Sequence, residues 1–253
     1  MKEEPFIGGN LSDATRIGDT VHRRAGPWTP AVHSLLRFLE RAGFEAPRVR
    51  GLDERGREIL GYVEGDAYTG WPKPAPPWVL DDEHLAAGAR LLRRYHDTVA
   101  AFTPPPEAAW RLVAPRPHEI ICHNDWAPWN AVFRDRRLAV MVDWDNAGPG
   151  TRLWDLVNTA YSWVPLYARE HVRLDPPEQA RRLRLCCDAY GLDDRRDVLP
   201  MLRTRLEFIA AFIESEARRG DPGFQKLLGW DTPARLRRNA AAMDRAELER
   251  ALR

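Results

Sequence analysis

A cluster of prolines at residues 72–77 divides the chain into two parts with different patterns. Proline fits neither a helix interior nor a central strand, so the cluster predicts a boundary between structural units. Short strand-like segments precede it, among them 13–17 and 20–24, which are joined by a Gly-Asp turn signal. Segments with apolar residues at helical spacing follow it. We therefore predict an α+β protein with a small antiparallel β-sheet lobe at 1–70 and a mostly helical lobe at 71–253.

Two amphipathic helices are predicted from the spacing of apolar residues. The first covers residues 29–43, with Thr29 as N-cap, a proline in the first turn and Gly43 as the stop signal. The second covers residues 82–102. The predicted buried faces are Val32, Leu35, Leu36 and Leu39 in the first helix and Leu85, Ala89, Leu92, His96 and Val99 in the second.

The charge balance and the cysteines exclude several classes of protein. The chain carries 38 basic and 37 acidic side chains, a formal net charge of +1, so no overall field selects nucleic acid or an anionic membrane. Its three cysteines form no disulfide framework. No apolar run reaches the ~20 residues that span a bilayer, and the first residues lack a signal-peptide pattern. We therefore predict a cytoplasmic monomer or dimer without a nucleic-acid or membrane partner.

Polar side chains follow a short apolar run near the middle of the chain. Residues 118–123 and 138–145 are predicted as two strands, and the loop between them holds Asp125 and Asn130. If the two strands pair as a hairpin, Asp143 returns beside that loop. Carboxylate and amide oxygens are the ligands that Mg²⁺ prefers, and a remaining carboxylate can accept a proton from a hydroxyl group. This grouping is the minimal equipment for phosphoryl transfer.

Three segments together resemble the catalytic segment of the aminoglycoside phosphotransferase family: "HNDWAPWN" at 123–130, "VDWDNAGPG" at 142–150 and "LWDL" at 153–156. The resemblance implies a protein-kinase-like fold with two lobes. It also implies a small-molecule kinase that uses ATP or GTP with Mg²⁺ and phosphorylates a small-molecule hydroxyl acceptor, with an antibiotic among the open possibilities.

The same resemblance implies roles for the polar side chains of these segments. Asp125 corresponds to the general base, and Asn130 and Asp143 correspond to the Mg²⁺ ligands. Asp145 is either a further Mg²⁺ ligand or a turn residue. His123 belongs to the catalytic loop and is expected to brace it by hydrogen bonds.

Shorter segments carry the resemblance at the nucleotide end of the site. Gly8, Gly9 and Ser12 resemble the loop over the phosphates, where two glycines permit close approach of the backbone to an anion. The stretch "ILGYVEG" resembles the segment between the lobes. Backbone groups near Gly61 and Val63 are therefore expected to hydrogen-bond the nucleotide base.

The phosphate-binding basic residue departs from the family pattern. The stretch "TVHRR" stands where the family usually has a strand with lysine, and strand alternation makes Arg23 the best aligned candidate. Arginine can hold a phosphate through two N–H groups but is not equivalent to lysine. The helix glutamate expected to pair with this residue should fall near Val32, where no acid stands. We therefore expect a remodelled nucleotide end.

Two other functions stay open on the sequence alone. One is a kinase-fold binding protein that sequesters a ligand or peptide without turnover. The altered Arg23 segment favours it, and "TVHRRAGPWTPAVHSLLRFLE" resembles proteins described as immunity factors against peptide toxins. The other is a metal-dependent hydrolase using His123, Asp125, His118 and Asp143, which offers few histidines for a transition metal. No recognisable pattern names the acceptor or selects ATP over GTP.

Several further side chains have competing interpretations. Trp126 and Trp129 either belong to the core or stack on an acceptor ring. Asp155 is expected to cap the next helix and to brace the catalytic loop. Three acids on a late helix either attract a cationic acceptor or form a solvated face: Glu207, Glu214 and Glu216.

Overall fold

The computed structural model describes residues 4–5, 14–68, 76–166, 174–243 and 246–252. Within these ranges a small antiparallel sheet with one helix is followed by a mostly helical part. The predicted α+β fold, with a small sheet lobe and a larger helical lobe, is confirmed. Buried apolar side chains form a core that includes residues of both parts, from Val32 to Ala251.

The first part is built on a five-stranded antiparallel sheet. Its strands are Glu4–Pro5 (β1), Thr15–Ile17 (β2), Thr20–Arg23 (β3), Val49–Leu52 (β4) and Glu58–Gly61 (β5). They lie in the order β1-β2-β3-β5-β4. The predicted hairpin between β2 and β3 is confirmed, with Ile17 paired to Thr20 around the Gly18 turn. The register of β3 and β5 places Arg23 directly opposite Glu58.

A single helix, Thr29–Arg41 (α1), connects β3 to β4. Its predicted buried face is confirmed, with at most 1% exposure at Val32, Leu35, Leu36 and Leu39. The predicted N-cap is wrong by one residue. Trp28 occupies the cap position, and the Thr29 hydroxyl accepts a hydrogen bond from the Gly26 N–H at 2.9 Å. Because Pro30 has no N–H, the first turn has one fewer donor for a cap to satisfy.

The described residues of the second part form seven α-helices. They are Asp82–Val99 (α2), Arg152–Trp163 (α3), Pro176–Tyr190 (α4), Val198–Arg218 (α5), Pro222–Gly229 (α6), Thr232–Ala241 (α7) and Ala246–Ala251 (α8). The predicted face of α2 is buried throughout. The helix begins at the cap residue Asp81, whose carboxylate accepts from the His84 N–H at 3.0 Å. It ends three residues earlier than predicted.

Five short strands lie among these elements: Asp66–Ala67 (β6), Ile120–Cys122 (β7), Ala131–Arg134 (β8), Arg137–Met141 (β9) and Gly148–Gly150 (β10). The predicted hairpin between the strands around 118–123 and 138–145 is wrong. Strand β7 pairs with β10, and β9 pairs with β8, which the sequence analysis assigned to the loop. The Gly-Pro-Gly sequence of β10 has no strand signal, because glycine and proline are depleted in strands.

Gly148 allows the loop before β7 to approach β10 closely. A Cβ atom added at Gly148 would lie 1.8 Å from the backbone oxygen of Leu112, far inside van der Waals contact. The loop 103–119 thus depends on a residue without a side chain at this position. It carries Arg111, which reaches the candidate site described below.

Replacement of this glycine is the first testable change. Gly148→Ala is expected to destabilise the fold by about 1–3 kcal/mol, because backbone atoms must shift to admit the methyl group. Gly229→Ala is the matched control, since a Cβ there meets nothing within 4 Å. Urea denaturation measures both variants. A Gly148→Ala midpoint equal to that of wild type would contradict the close approach.

No helix among the described residues is long and apolar enough to cross a membrane.

Candidate active site

The loop after β7 folds back so that its two ends meet. Pro128–Asn130 form a 3-10 turn, which the fixed φ of proline favours. The turn returns Asn130 to Asp125, and the Asn130 amide nitrogen donates to the Asp125 carbonyl oxygen at 2.9 Å and to its Oδ2 at 2.8 Å. The N–H of Val142 donates to the Asn130 carbonyl oxygen at 2.9 Å. Asp125, Asn130 and the residues around Asp143 therefore lie together.

Asp125 is a half-buried carboxylate with a raised proton affinity. Burial raises its pKa to about 6, the charge of Asp143 adds to the increase, and hydrogen bonds from Asn130 and Trp129 oppose it. A carboxylate whose pKa lies closer to neutrality accepts a proton more readily than an ordinary aspartate. The environment of Asp125 therefore suits a general base.

His123 is completely buried and uses both ring nitrogens within the protein. Nδ1 accepts from the Asp125 N–H at 3.2 Å, and Nε2 hydrogen-bonds the carbonyl oxygen of Val142 at 3.2 Å. Burial lowers the pKa of His123, although Asp155 and Asp143 oppose the change. A neutral imidazole accepting at one nitrogen and donating at the other connects the loop 123–130 to the segment after β9. This is the position that the sequence predicted for a brace.

Asp155 holds the start of the same loop from α3. Its buried carboxylate accepts from the His123 N–H at 2.7 Å and from the Asn124 N–H at 2.9 Å, and it hydrogen-bonds His96 Nε2 at 3.2 Å. Burial alone would raise its pKa, but the hydrogen bond and charge of His96, together with Arg205 and His123, outweigh burial, and the pKa is lowered. The predicted bracing by Asp155 is confirmed. The predicted capping is wrong, because the Thr151 hydroxyl accepts from the Trp154 N–H at the start of α3.

Arg23 connects the sheet to the segment after β9. It is 5% exposed, and each of its nitrogens donates to a different carboxylate: Nε to Glu58 at 2.5 Å, one terminal nitrogen to Asp143 at 3.0 Å and the other to Asp145 at 2.6 Å. The structure therefore places Arg23 beside the predicted metal ligands, and its carboxylate partner comes from β5 instead of the helix. Burial raises the pKa of Asp145 to about 6, and the charge of Arg23 opposes this increase.

Two arginines near the site were not found by sequence reasoning. Arg111 lies between the rings of Trp28 and Phe224, with its guanidinium carbon 4.3 Å and 4.9 Å from the ring centroids. One terminal nitrogen donates to Asp221 at 2.9 Å, and the other lies 3.9 Å from Asp145. Arg111 thus contacts the segment before α1, the segment after β9 and the start of α6. Its loop has no periodic pattern that would have indicated these contacts.

Arg205 on α5 is the second such arginine. It is 1% exposed, donates to the carbonyl oxygen of Asn124 at 2.6 Å and lies over the Trp154 ring at 4.7 Å. Asn124 has a positive φ of 66°, a conformation that asparagine tolerates better than most residues. Helix α5 therefore contacts the loop 123–130 directly, next to Asp125.

The structure describes only some of the residues that were predicted to contact the nucleotide. Gly8, Gly9 and Ser12 lie outside the described residues. Gly61 is the last residue of β5, and its N–H donates to the Arg48 carbonyl oxygen at 2.7 Å. That N–H is therefore already engaged in a hydrogen bond within the protein. A nucleotide base would have to hydrogen-bond other backbone groups of the segment that ends at Val63.

The oxygen atoms near Asp143 suit Mg²⁺. The Asn130 amide nitrogen is directed at Asp125, which leaves its oxygen for a cation, and Mg²⁺ typically takes one or two carboxylates together with phosphate oxygens. Among the described residues, no three His, Cys, Asp or Glu side chains are grouped to hold a metal. His118 hydrogen-bonds the Ala114 carbonyl oxygen at 2.8 Å, and His123 is engaged as above. The histidines therefore give the hydrolase hypothesis no support.

The two tryptophans of the loop, each of which could belong to the core or stack on an acceptor ring, differ in burial. Trp126 is a fully buried core residue, whereas Trp129 is half-buried beside Asp125.

The acids of α5 are paired with arginines. Glu214 binds Arg237 at 2.6 Å and 3.0 Å. Arg237 also lies 3.5 Å from Glu207, and Glu216 binds Arg219 at 2.6 Å. These pairs oppose the idea that the three acids form an anionic surface for a cationic acceptor.

The sheet order, the helix between β3 and β4 and the loop from His123 to Asn130 define a protein-kinase-like fold. Residues 106–184 match the family model described as "Phosphotransferase enzyme family". The chain is 38% identical over 202 residues to the trifolitoxin immunity protein of Rhizobium leguminosarum bv. trifolii, covering 76% of this chain and 75% of the relative. The chain belongs to the phosphotransferase enzyme family, as the sequence resemblance predicted.

Solved structures with low sequence identity share this fold. An amicoumacin kinase in complex with AMP-PNP, Ca²⁺ and Ami matches with a TM-score of 0.68 at 12% identity, over 94% of this chain and 86% of that one. A choline/ethanolamine kinase family protein from Mesorhizobium loti matches with a TM-score of 0.62 at 19% identity, over 100% and 91%. The GDP complex of aminoglycoside 2'-phosphotransferase-IIIa gives 0.60 at 14%, over 96% and 93%. The predicted kinase-like fold is therefore confirmed.

Proposed function

We propose that this protein transfers the γ-phosphoryl group of ATP or GTP to a hydroxyl group of a small molecule. The observation that carries the proposal is the contact of Asn130 with Asp125 at 2.8 Å, beside a segment in which Arg23 binds Asp143 at 3.0 Å. The site thus groups a candidate general base with an amide and a carboxylate as candidate metal ligands. The guanidinium group of Arg23 lies beside them. The structural neighbours solved in complex with AMP-PNP or GDP support a nucleotide as the donor.

In this mechanism the chain's own groups orient the reactants and move one proton. The acceptor oxygen bonds to the γ-phosphorus as the bond from that phosphorus to the bridging oxygen breaks. The hydroxyl proton passes to Asp125, and the nucleoside diphosphate leaves with the electron pair. Asn130 and Asp143 would hold Mg²⁺, with Asp145 as the candidate for a further ligand, and the ion would supply positive charge against the phosphates. The guanidinium charge of Arg23, beside Asp143, would lie next to the same phosphates.

The direct test is a product screen. Purified protein is incubated with Mg²⁺ and ATP or GTP and with single acceptors: an aminoglycoside, other antibiotics, an amino alcohol, a sugar and a hydroxyl-containing peptide. Mass spectrometry then detects a phosphorylated product. A product that is absent with Asp125→Asn supports the proposal. Failure of Mg²⁺-nucleotide to bind the wild-type protein would overturn it.

Replacement of Asp143 tests the assignment of the metal ligand. Asp143→Asn is expected to remove most of the Mg²⁺ dependence of nucleotide affinity and to lower turnover by about 100-fold or more, because the carboxylate charge facing the metal is lost. Isothermal titration calorimetry with and without Mg²⁺ measures the effect. Asp135→Asn, at the exposed turn between β8 and β9, is the matched control. Unchanged Mg²⁺ dependence in Asp143→Asn would place the metal site elsewhere.

A second candidate function is binding without turnover. The 38% identity to a protein named for immunity to trifolitoxin favours it. A kinase-fold immunity protein would sequester a peptide toxin through the helical part and would not need Asp125. Toxin binding that survives Asp125→Asn, together with no phosphorylated product, would support this candidate over the kinase.

A further inference from the structure

Glu58 is a buried acid that the sequence analysis did not single out. Its carboxylate is 1% exposed and lies between two basic side chains, with Oε2 accepting from Arg23 Nε at 2.5 Å and Oε1 hydrogen-bonding His33 Nε2 at 2.8 Å. An isolated buried carboxylate is strongly unfavourable, so it depends on these partners. Glu58, Arg23 and His33 therefore form one connected unit.

The position of Glu58 is fixed by the sheet. Arg23 and Glu58 are directly opposed in the antiparallel pair of β3 and β5, and opposed residues of such a pair project from the same face. Helix α1 does not supply the carboxylate that was expected to pair with Arg23. Val32, where a helix glutamate was expected, is fully buried in the apolar core, and the next residue, His33, contacts Glu58 instead of Arg23. The helix is thus connected to Arg23 through Glu58.

The charge state of this unit favours a fixed ion pair. Burial by itself would raise the pKa of Glu58, but the hydrogen bond from His33 and the charge of Arg23 outweigh it, and the pKa is lowered. The three carboxylates around Arg23 likewise outweigh burial and keep its guanidinium protonated, with a raised pKa. Both groups are therefore charged at neutral pH.

The contact with Glu58 also determines where the rest of Arg23 is directed. A guanidinium group is planar and its five N–H bonds have fixed directions. Once Nε is held by Glu58, the two terminal nitrogens are directed at Asp143 and Asp145. Four carboxylates, counting Asp221, surround Arg23 and Arg111.

We propose that Glu58, steadied by His33, is the positioning residue for Arg23, so that the register of β3 and β5 performs the task expected of a helix glutamate. The inference rests on the proposed function, because the orientation of Arg23 affects turnover only if phosphates bind beside it. A partner on a neighbouring strand keeps Arg23 oriented without any movement of α1. The effect of His33 on turnover is accordingly smaller than that of Glu58.

The test compares four variants. Glu58→Gln removes the charge at nearly constant shape, and Glu58→Asp keeps the charge but shortens the side chain so that it cannot reach both partners. His33→Gln keeps a hydrogen-bonding group toward Glu58. Glu54→Gln, in the exposed turn of the same β4–β5 hairpin, is the matched control. Three quantities are measured: the thermal midpoint, kcat and KM for Mg²⁺-nucleotide, and labelling of Arg23 by phenylglyoxal without nucleotide, read by peptide mass spectrometry.

We expect Glu58→Gln and Glu58→Asp to lose about 10- to 100-fold in kcat/KM, as for a lost charge-assisted hydrogen bond. Labelling of Arg23 should rise several-fold, while the adjacent exposed Arg24 is labelled equally in all variants. His33→Gln should stay within about threefold of wild type, a factor worth less than 1 kcal/mol, and Glu54→Gln should not change. If one Glu58 variant fails to fold, the other decides.

Two results would overturn the inference. One is a folded Glu58 variant with unchanged Arg23 labelling. The other, given a wild-type protein with measurable turnover, is a folded Glu58 variant in which Arg23 labelling increases while kcat/KM is unchanged. If the wild-type protein binds no nucleotide, the proposed function fails, and labelling alone then decides whether Glu58 holds Arg23.

Discussion

Asp125→Asn is expected to lower turnover by about 10²- to 10⁴-fold, the usual contribution of a general base, while Mg²⁺-nucleotide affinity stays close to that of wild type. The asparagine has nearly the same shape and can still accept the Asn130 hydrogen bond through its amide oxygen, so the loop should keep its fold. It cannot take the acceptor proton. Steady-state kinetics and calorimetry on the same preparation measure both quantities.

The comparison of the two quantities separates a catalytic from a structural role. A loss of turnover with retained affinity is the result expected of a base that acts on the acceptor. If Asp125→Asn lost both in equal measure while its thermal midpoint stayed normal, Asp125 would belong to the nucleotide site. A normal rate of turnover would remove Asp125 from the mechanism altogether.

Asp155→Ala is expected to destabilise the protein by about 3–5 kcal/mol, the range for removing one partner from a buried charged network. The change leaves the N–H groups of His123 and Asn124 without their acceptor and removes the hydrogen-bond partner of His96 Nε2. Urea denaturation at neutral pH measures the effect. Asp135→Asn at the exposed β8–β9 turn is again the matched control, and it should change stability by less than about 0.5 kcal/mol.

The effect of Asp155 should also depend on pH. Its pKa is lowered in the folded protein, so its contribution to the free energy of unfolding is present above the unfolded pKa and lost as the pH falls through the folded value. The difference in the free energy of unfolding between wild type and Asp155→Ala should therefore begin to decrease as the pH falls to about 4. A difference below about 1 kcal/mol at neutral pH, the size of one ordinary hydrogen bond, would show that the loop is held by other contacts.

The catalytic loop was predictable because its chemistry is local. His123, Asp125 and Asn130 fall within eight consecutive residues, and Pro128 restricts how they fold. The structure joins Asn130 to Asp125 and His123 to Asp125 by direct hydrogen bonds. Helix faces were predictable for a similar reason, since their periodicity is contained in a short segment. The roles assigned to these residues stay predictions until turnover is measured.

The long-range contacts around the site were not predictable, because each depends on residues far apart in the sequence. Glu58 meets Arg23 through strand register, and register follows from the pairing of whole strands. Arg111 and Arg205 reach the site from an unpatterned loop and from the inside of α5. The pairing of β7 with the Gly-Pro-Gly strand β10 was missed because those residues have low strand propensity.

The Glu58 unit changes the expectation for the nucleotide end of the site. The absence of an acid near Val32 suggested a weakened phosphate site, and that absence favoured binding without turnover. A buried acid on β5 now provides Arg23 with a carboxylate partner. The Arg23–Glu58 pair, in place of a pair with a helix glutamate, is therefore no reason by itself to expect an inactive protein. Whether the protein is active then depends on whether it binds a nucleotide.

The measurement that tests the central claim most directly is the thermal unfolding midpoint with ATP and GTP, each with and without Mg²⁺. At 100 times its dissociation constant a ligand adds about 2.7 kcal/mol, a shift of roughly 5–10 °C for a chain of this size. We predict a shift that requires Mg²⁺ and is lost in Asp143→Asn. No shift with either nucleotide would contradict a phosphotransfer site at Asp125, Asn130 and Asp143.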